Sequence, residues 1–373
     1  MQKKPLHIVS FDNPYPPVYG GVIDVFYKVS ALSAHFDIYL HCFVDYDQQP
    51  ANELKSLVKQ VYFYRRHKKR NFLKLFSKIP FAAVSRYNLQ MANIIQSVDA
   101  PILFEGLQTT YLLKKHDFSA RKLLLRLHNL ESNYFAGSHQ SETNPIKKWL
   151  YASEAKKYKS YEQIIGRFDS VLTLSVAETK FVQTHFGNAA YIPVFHGNDH
   201  VADLSHFGKY ALYHGDLRLP DNKRAVRFLV EVFAEIPDYP LVIASGSGKD
   251  FVEELVKTHP NTSYAQIQNQ QHLDALLHDA HLNVMLSFQE SGTKLKLVNA
   301  LHKSRFCIIN RNMVDDQDLQ GLCEIAETKS EFIAAVNRLK SVPYSEIAKR
   351  KEVLRQVLDD SVNATKIRAV LEN

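Results

Sequence analysis

The sequence alternates short apolar runs with longer stretches that have the hydrophobic period of a helix, and it does so in two series. The first series begins with LHIVSF at 6–11 and ends with SVLTLS at 170–175. The second begins with YALYHG at 210–215 and ends with FCIINR at 306–311. Strands separated by helices are typical of βαβ units and parallel sheets. The pattern predicts an α/β protein with two successive doubly wound parallel sheets.

The segment at 193–208, PVFHGNDHVADLSHFG, interrupts this alternation and has the composition of a linker. From about residue 345 the sequence is helical and has no strand pattern. We therefore expect an N-terminal domain over 1–197, a C-terminal domain over 208–350 and a helical tail over 351–373. Ligands of doubly wound sheets bind outside the carboxyl ends of the strands. Two such domains joined by one linker predict a cleft lined by strand ends.

Composition excludes several other classes of protein. A chain of 373 residues with 45% hydrophobic and 23% charged residues is typical of a globular protein, not of a disordered or collagenous one. No apolar run reaches the roughly 18 residues that span a bilayer, and the N-terminus does not have the pattern of a signal peptide. Cys42, Cys307 and Cys323 are scattered and form no CxxC or Cys/His ligand spacing. We expect reduced cytoplasmic thiols and no zinc site.

The net charge favours anionic partners. The chain has 46 Lys and Arg against 39 Asp and Glu, which gives +7. Nucleotide phosphates, an acidic membrane surface and nucleic acid all fit this charge, but no nucleic-acid recognition module is present and we expect no nucleic-acid partner. The basic segment RRHKKRNFLKLFSK at 65–78 interleaves apolar residues. It fits either an ordinary surface helix or peripheral contact with an anionic membrane.

Gly20 and Gly21 follow the first strand and its loop, and they open the first helix. Glycine permits close approach of the backbone, and a helix N-terminus offers unpaired N–H groups to an anion. A tight strand-to-helix turn is the alternative explanation. The spacing is not GxGxxG, so a dinucleotide dehydrogenase is disfavoured.

A second candidate lies at the end of the strand KLLLRLH, where Arg126 and His128 fall on the same face. A histidine there could donate to a substrate oxygen or move a proton, because its ordinary pKa is near 6.5. A structural histidine that is hydrogen-bonded at a strand end is the alternative.

Two basic loops in the second half have the pattern of anion sites. Lys294 and Lys296 stand at a helix N-terminus, where positive charge opposes the helix dipole and costs stability unless an anion is present. Such a conflict with a local rule is typical of a functional site, although a solvated lysine pair would look the same. Gly215 is followed by a loop and helix start with Arg218 and Lys223, whose side chains could reach a phosphate.

In this order, these stretches resemble the GT-B glycosyltransferases of the GT4-like group (glycosyltransferase group 1). The matching landmarks span nearly the whole chain: YPPVYGGV, RLHNLESNYF, LTLSVAETKFV, YHGDLRLPDNKRAVRFLVEVF and SFQESGTKLKLVNALHKSRFCIIN. Their co-occurrence is far more specific than any one motif. The resemblance implies a GT-B fold, in which two Rossmann-like doubly wound parallel-sheet domains face a cleft and a C-terminal helix crosses back to the N-terminal domain.

The resemblance also implies an activity. This is retaining transfer of a hexosyl group from a nucleotide-diphosphate sugar to a hydroxyl of a glycan or lipid-linked acceptor, in polysaccharide or glycoconjugate biosynthesis. The donor lies against the C-terminal domain and the acceptor mainly against the N-terminal domain. No metal or other cofactor is expected, since lysines and helix N-termini would stabilise the developing charge.

The expected site residues come partly from the resemblance and partly from their positions in the sequence pattern. His128 and Glu290 are expected beside the transferred sugar as the catalytic residues, and Arg126 and Glu105 on the acceptor side. The residues expected to bind the donor are Gly20, Gly21, Gly215, Arg218, Lys223, Thr293, Lys294, Lys296 and Asn299.

Two positions differ from the family pattern. Asn299 stands where the family often has a glutamate that holds the ribose, and Asp216 stands where an arginine commonly follows the strand. An asparagine is a neutral and weaker partner for a ribose hydroxyl. Two alternatives therefore stay open: a nucleotide-sugar 2-epimerase of similar fold, which would turn over donor without acceptor, and a non-catalytic relative that binds nucleotide sugars or glycans.

Overall fold

The computed structural model separates the chain into two compact units. Unit 1 contains Met1–Gly197 and Leu358–Asn373, and unit 2 contains Asn198–Val357. The residues that the structure describes are 3–66, 77–289 and 294–372.

Among the described residues, unit 1 contains one sheet of seven strands. These are β1 (Lys4–Ser10), β2 (Phe36–Val44), β3 (Gln60–Arg65), β4 (Ile102–Glu105), β5 (Leu123–Leu127), β6 (Ser170–Thr173) and β7 (Ala189–Tyr191). All neighbours are parallel, in the order β3-β2-β1-β4-β5-β6-β7. The strand order therefore reverses between β1 and β4, where doubly wound sheets bind their ligands.

The helices of unit 1 connect these strands. They are α1 (Gly20–Leu32), α2 (Asn52–Leu57), α3 (Phe81–Val84), α4 (Leu89–Ser97), α5 (Glu131–Ser141), α6 (Pro145–Tyr161) and α7 (Val176–Phe186). The stripe of Val22, Val25, Val29 and Leu32 on α1 is buried against the sheet, as the 3.6-residue period requires. This packing fixes the start of α1 at the carboxyl end of β1.

Unit 2 repeats this plan, with a six-stranded parallel sheet in its described part. Its strands are β8 (Tyr210–His214), β9 (Leu241–Ser245), β10 (Thr262–Gln266), β11 (Ala280–Met285), β12 (Phe306–Ile309) and β13 (Glu324–Ile325). The order across the sheet is β10-β9-β8-β11-β12-β13. The strand order reverses between β8 and β11. The predicted fold class, two doubly wound parallel sheets, is confirmed.

The helices of unit 2 are α8 (Pro220–Phe233), α9 (Lys249–Val256), α10 (Gln270–Asp279), α11 (Leu295–Lys303), α12 (Gln317–Gln320), α13 (Lys329–Leu339) and α14 (Ile347–Val357). The start of α8 follows β8 through a short loop, and α11 precedes β12. The carboxyl ends of β8 and β11 therefore meet the N-termini of two helices, which suits an anion.

The last helix, α15 (Asp360–Glu372), belongs to unit 1. Its buried Ala364, Ile367 and Leu371 join the same apolar cluster as Val25 and Val29 of α1. The start of α15 is held in place because the Asp360 carboxylate accepts hydrogen bonds from the backbone N–H groups of residues 196 and 197. In the described ranges, no helix combines the length and the apolar character needed to cross a membrane.

Candidate functional site

The start of α1 packs closely against the side chain that supports His128. A Cβ at Gly21 would lie 2.8 Å from Cζ of Phe11, so this position requires glycine. The Phe11 ring forms a T-shaped contact with the His128 imidazole, with the ring centroids 5.4 Å apart. Gly20 is exposed at the first residue of the helix. Gly21 thus allows a helix N-terminus to approach the carboxyl end of β5, where His128 stands.

That helix N-terminus is open to an anion. No side chain caps it, since Tyr19 instead donates its hydroxyl to Asp12 at 3.0 Å, and the first turn contains no carboxylate. The first backbone N–H groups of a helix lack partners within the helix and carry partial positive charge. The structure thus leaves the first N–H groups of α1 without a side-chain cap, and the roles of Gly20 and Gly21 next to a diphosphate stay predictions.

Beneath this surface lies a buried network of four charged side chains. The Arg126 guanidinium donates to both carboxylate oxygens of Asp24, at 3.1 and 2.8 Å. The Lys28 ammonium bridges Asp24 at 2.7 Å and Glu105 at 2.9 Å. All four residues are almost completely inaccessible to solvent. Two carboxylates and two cations balance, which is the arrangement that makes buried charge tolerable.

Arg126 was expected on the acceptor side, and the structure encloses it. Besides Asp24, its guanidinium donates to the carbonyl oxygens of Ile192 at 2.5 Å and Pro193 at 3.0 Å. The Asp24 carboxylate also accepts from the backbone N–H of Phe195 at 2.8 Å. Arg126 therefore joins β5 to the 192–195 segment, and its N–H groups point at protein atoms instead of a ligand.

Glu105 and His128, in contrast, meet at the edge of the network. Nε2 of His128 lies 3.1 Å from Oε2 of Glu105, and the side chain of His128 is 11% exposed. A carboxylate only accepts, so Nε2 carries the proton and Nδ1 is the ring atom left for another partner. Oε1 of Glu105 is buried and has no hydrogen-bond partner among the described residues. The pair thus orients one imidazole at the carboxyl ends of β4 and β5.

Asp24, Glu105 and His128 have the donor types of a metal site, and their nearest ligand atoms lie within 4.8 Å of one another. The Lys28 ammonium already bonds to both carboxylates, at 2.7 and 2.9 Å. It holds the position between the carboxylates that a cation would take. The residues fit an internal ion pair better than a metal centre.

In unit 2, Lys296 lies in the first turn of α11. Its ammonium donates to Oδ1 of Asn222 at 3.1 Å and lies 5.1 Å from the centre of the Tyr213 ring. The contacts of this ammonium with described residues are this hydrogen bond and this ring, and none of them is an ion pair. Burial lowers its pKa to about 8; the Asp221 carboxylate opposes this shift and Lys294 adds to it. Lys296 is therefore a poorly solvated cation whose hydrogen-bond acceptor among the described residues is the neutral amide oxygen of Asn222.

In the loop after β8, the charged side chains of Asp216 and Arg218 pair with each other. Arg218 donates to Oδ1 of Asp216 at 2.9 Å and to Oδ2 at 2.7 Å, and Ser247 donates to the same carboxylate at 3.1 Å. The hydrogen bond from Arg218 lowers the pKa of Asp216. Lys223 lies over the Phe251 ring at 5.4 Å. A Cβ at Gly215 would lie 3.1 Å from the Tyr213 hydroxyl, which favours glycine there.

Of the remaining residues predicted to bind the donor, two are described by the structure and two are not. Oδ1 of Asn299 accepts a hydrogen bond from Nδ2 of Asn198 at 3.2 Å. Lys294 is the residue that precedes α11, next to Lys296 in the same turn. Glu290 and Thr293 lie outside the described residues.

Three residues near Lys296 were not predicted from the sequence as a group. Asp221, in the first turn of α8, accepts from the Ser287 hydroxyl and the Phe288 N–H, each at 3.2 Å. Asn222 bonds to Lys296, and His214 is buried with Nε2 3.2 Å from the Lys296 carbonyl oxygen. Burial and the Lys296 charge lower the pKa of His214 to about 4. The sequence feature that could have identified them is their position, directly after β8 and at the start of α8.

No protein-family model matches the chain. A curated relative is an uncharacterized 44.6 kDa protein in the cps region of Klebsiella pneumoniae, which is 25% identical over 318 residues, or 81% of each chain.

Solved structures with the same fold include several glycosyltransferases. Sucrose-phosphate synthase from Thermosynechococcus elongatus has a TM-score of 0.67 at 12% identity, with 99% of this chain and 98% of that chain covered. A mutant of S. aureus TarM, in complex with Fondaparinux, α-GlcNAc-glycerol and UDP, has a TM-score of 0.65 at 12% identity, with 100% of each chain covered. α,α-Trehalose 6-phosphate synthase from Burkholderia multivorans also has a TM-score of 0.65 at 12% identity, covering 100% and 98%. The expected GT-B fold is confirmed.

Proposed function

We propose that this chain is a retaining glycosyltransferase that transfers a hexosyl group from a nucleotide-diphosphate sugar to a hydroxyl of a glycan or lipid-linked acceptor. The observation that carries the proposal is Lys296, a half-buried ammonium at the start of α11 without an ion-pair partner among the described residues. A cation in that state attracts an anion, and a leaving diphosphate develops negative charge in the transition state.

Lys296 acts on the donor through charge. Its ammonium, together with the N-terminus of α11, would neutralise the diphosphate as the bond to the sugar breaks. Asn222 and the Tyr213 ring hold the ammonium in place, at 3.1 and 5.1 Å. The solved structures support a nucleotide donor, because UDP is bound to S. aureus TarM and UDP-2-fluoro glucose to an E. coli protein of this fold.

His128 and Glu105 serve the sugar and the acceptor. Glu105 fixes the imidazole through Nε2, which leaves Nδ1 to contact a hydroxyl of the transferred sugar. The exposed edge of His128 stands where the strands of unit 1 end. Retention is supported by a study of enzymatic glycosyl transfer with retention in a trehalose-6-phosphate synthase of this fold.

A panel of nucleotides tests the proposal. We expect one nucleoside diphosphate among UDP, GDP and ADP, or the corresponding nucleotide sugar, to raise the melting temperature of the protein selectively, and CMP in the same panel to leave it unchanged. A ligand at 100 times its dissociation constant adds about 2.7 kcal/mol of stability. The check is a thermal-shift series at several ligand concentrations. If none of the nucleotides shifts the transition, the donor site proposed around Lys296 is wrong.

A non-catalytic nucleotide-sugar binder is the second candidate. The observation that favours it is the Asp216–Arg218 pair, because the arginine there is committed to a neighbouring carboxylate. Such a protein would respond to the nucleotide panel but would release no nucleoside diphosphate from the donor. Incubation of the selected donor with acceptor extracts, followed by assay for free nucleoside diphosphate, separates the two functions. Release without acceptor and with an altered sugar would instead indicate a 2-epimerase.

Substitution of His128 by alanine should lower kcat by about 10²–10³-fold while the dissociation constant of the donor changes little. The imidazole contacts the sugar and not the nucleotide, so binding energy from the diphosphate remains. The measurement is steady-state transfer together with nucleotide titration. His185→Ala, an exposed histidine of the same unit, is the matched control and should leave both quantities unchanged. A normal rate in His128→Ala would remove this residue from the site.

A further inference from the structure

One face of α6 carries exposed lysines, the only tryptophan of the chain and no carboxylate. Trp149 is 60% exposed and Ile146, one turn earlier, is 71% exposed. The residues that recur on this face at helical spacing are Ile146, Lys148, Trp149, Ala152, Lys156 and Lys159. This set is called the α6 face below.

The carboxylates of the same helical hairpin point elsewhere. Glu154 accepts from the Phe81 N–H at 3.0 Å and from Lys157 at 2.7 Å, so it is used on the inner side of α6. Glu142 accepts from the backbone N–H groups of residues 143 and 144 in the connecting loop. Glu131 lies in the first turn of α5, close to Glu162 and Glu178. Lys159 faces the carboxylate of Glu162, three residues further along the chain, whereas Lys148 and Lys156 form no ion pair with a described residue, so the α6 face keeps a net positive charge among the described residues.

The opposite side of α6 is firmly packed. Tyr158 is buried and stacks on Phe135 of α5, with the ring centroids 5.3 Å apart, and Tyr161 is buried beside it. Nδ1 of His139 lies 2.9 Å from the Lys148 carbonyl oxygen, which joins the ends of the two helices. The helix is anchored by its aromatic side, so the exposure of Trp149 is a property of the folded unit.

We propose that the α6 face binds the surface of an anionic lipid bilayer. An indole with its apolar ring and polar N–H suits the boundary between headgroups and acyl chains. The lysine stems extend along that boundary while their ammonium groups reach lipid phosphates. The basic segment 65–78 was the sequence-based candidate for this role, but residues 67–76 lie outside the described part of the chain.

A lipid surface fits this face better than a second copy of the chain. A symmetric dimer through the α6 face would place lysines opposite lysines, and like charges across an interface are unfavourable. The apolar area of one tryptophan and one isoleucine is also small for a stable protein interface. If the acceptor is lipid-linked, the α6 face would hold the enzyme at the membrane that contains it, and this role rests on the proposed function. Binding of the α6 face to vesicles does not depend on the proposed function.

The emission of Trp149 provides a direct test, because no other tryptophan contributes to it. The intact protein is mixed with vesicles of phosphatidylcholine and phosphatidylglycerol in equal parts, or of phosphatidylcholine alone. We expect co-sedimentation with the anionic vesicles at low salt, a blue shift of the emission, and loss of both at about 1 M salt, where the Debye length is about 3 Å. Phosphatidylcholine alone should give neither.

Lysine substitutions locate the binding surface. The triple variant K148Q/K156Q/K159Q should bind anionic vesicles about 100-fold more weakly, given the contribution of each lysine near such a surface. The matched control K249Q/K257Q/K349Q removes the same charge from exposed positions of unit 2 and should bind like the wild-type protein. All six positions are exposed, so both variants should keep the wild-type melting temperature.

Several outcomes would overturn the proposal. These are no binding to anionic vesicles at low salt, binding without a change in Trp149 emission, and equal loss of binding in the two triple variants. A blue shift that grows with protein concentration and needs no vesicles would assign the face to self-association. The nucleotide panel is read without vesicles, so a failure here is distinguishable from a failure of the donor site.

Discussion

Replacing Asp24 with asparagine should lower the free energy of unfolding by about 3–5 kcal/mol, which is typical when one partner of a buried charge network is removed. Asparagine has nearly the same shape, so the loss comes from charge. The Arg126 guanidinium would keep only neutral partners, and Lys28 would keep Glu105 alone. Two buried cations would then face one carboxylate.

Urea unfolding at neutral pH measures this loss. Asp47→Asn is the matched control, because the Asp47–Arg65 pair has side chains that are 84% and 56% exposed and should contribute less than about 1 kcal/mol. A loss in Asp24→Asn no larger than in the control would show that the network does not stabilise unit 1.

The pH dependence gives an independent check on Asp24. Burial alone would raise its pKa, but the neighbouring Arg126 and Lys28 outweigh burial and hold the pKa well below its ordinary value. A depressed carboxylate pKa contributes stability above the unfolded-state pKa of about 3.9, and this contribution is lost as the pH falls further. The difference between wild type and Asp24→Asn should therefore be constant above about pH 5 and shrink below about pH 4. A constant difference at low pH would contradict the ion-pair explanation.

The sequence predicts the sheets well because their central strands are apolar on both faces. β4 and β11 are buried along their whole length, and β1 and β8 are buried except at their first residues; helical periodicity flanks all four strands, and this pattern appears twice. The short strands β7 and β13, of three and two residues, were not predicted. A period of two cannot be recognised in so few residues, and their pairing depends on the neighbouring strand.

The charged network was harder to predict than the sheets. Asp24 and Lys28 are separated by four residues on α1, where a polar pair normally indicates the solvated face. Their partners Glu105 and Arg126 stand 77 or more residues away in the chain. Only the pairing of β4 with β5, which places Glu105 opposite Arg126, brings them together. Arg126 was consequently expected to face an acceptor, whereas its bonds are to Asp24 and to backbone carbonyls.

Lys296, in contrast, could be recognised from the sequence, because a lysine at the start of a helix is unfavourable. Two lysines at the start of a helix oppose its dipole, and this conflict drew attention to α11. The partner Asn222 lies on α8, and Tyr213 on β8, so the enclosure of the ammonium depends on the sheet. The sequence identified the cation, and the fold explains why it is poorly solvated.

Replacing Lys296 with methionine should reduce kcat/KM for transfer by about 10²–10³-fold, the range measured when one group that stabilises a developing charge is removed. Stability should not fall, because the methionine fills similar space and removes a buried charge. Lys303→Met is the matched control on the same helix, since Lys303 pairs with Asp274 at 2.8 Å and is not part of the proposed site. A lower melting temperature with a normal rate in Lys296→Met would make Lys296 a structural residue.

The pKa of Lys296, lowered to about 8 by burial, sets two pH dependences with a definite sign. Between about pH 8 and the unfolded-state value near 10.4, the unfolded chain binds more protons than the folded chain, so this lysine makes stability rise with pH. Binding of the selected nucleoside diphosphate needs the ammonium, so its dissociation constant should rise up to tenfold per pH unit above pH 8. Lys296→Met should show neither trend. An affinity that is independent of pH between 7 and 9.5 in the wild-type protein would mean that this ammonium does not contact the diphosphate.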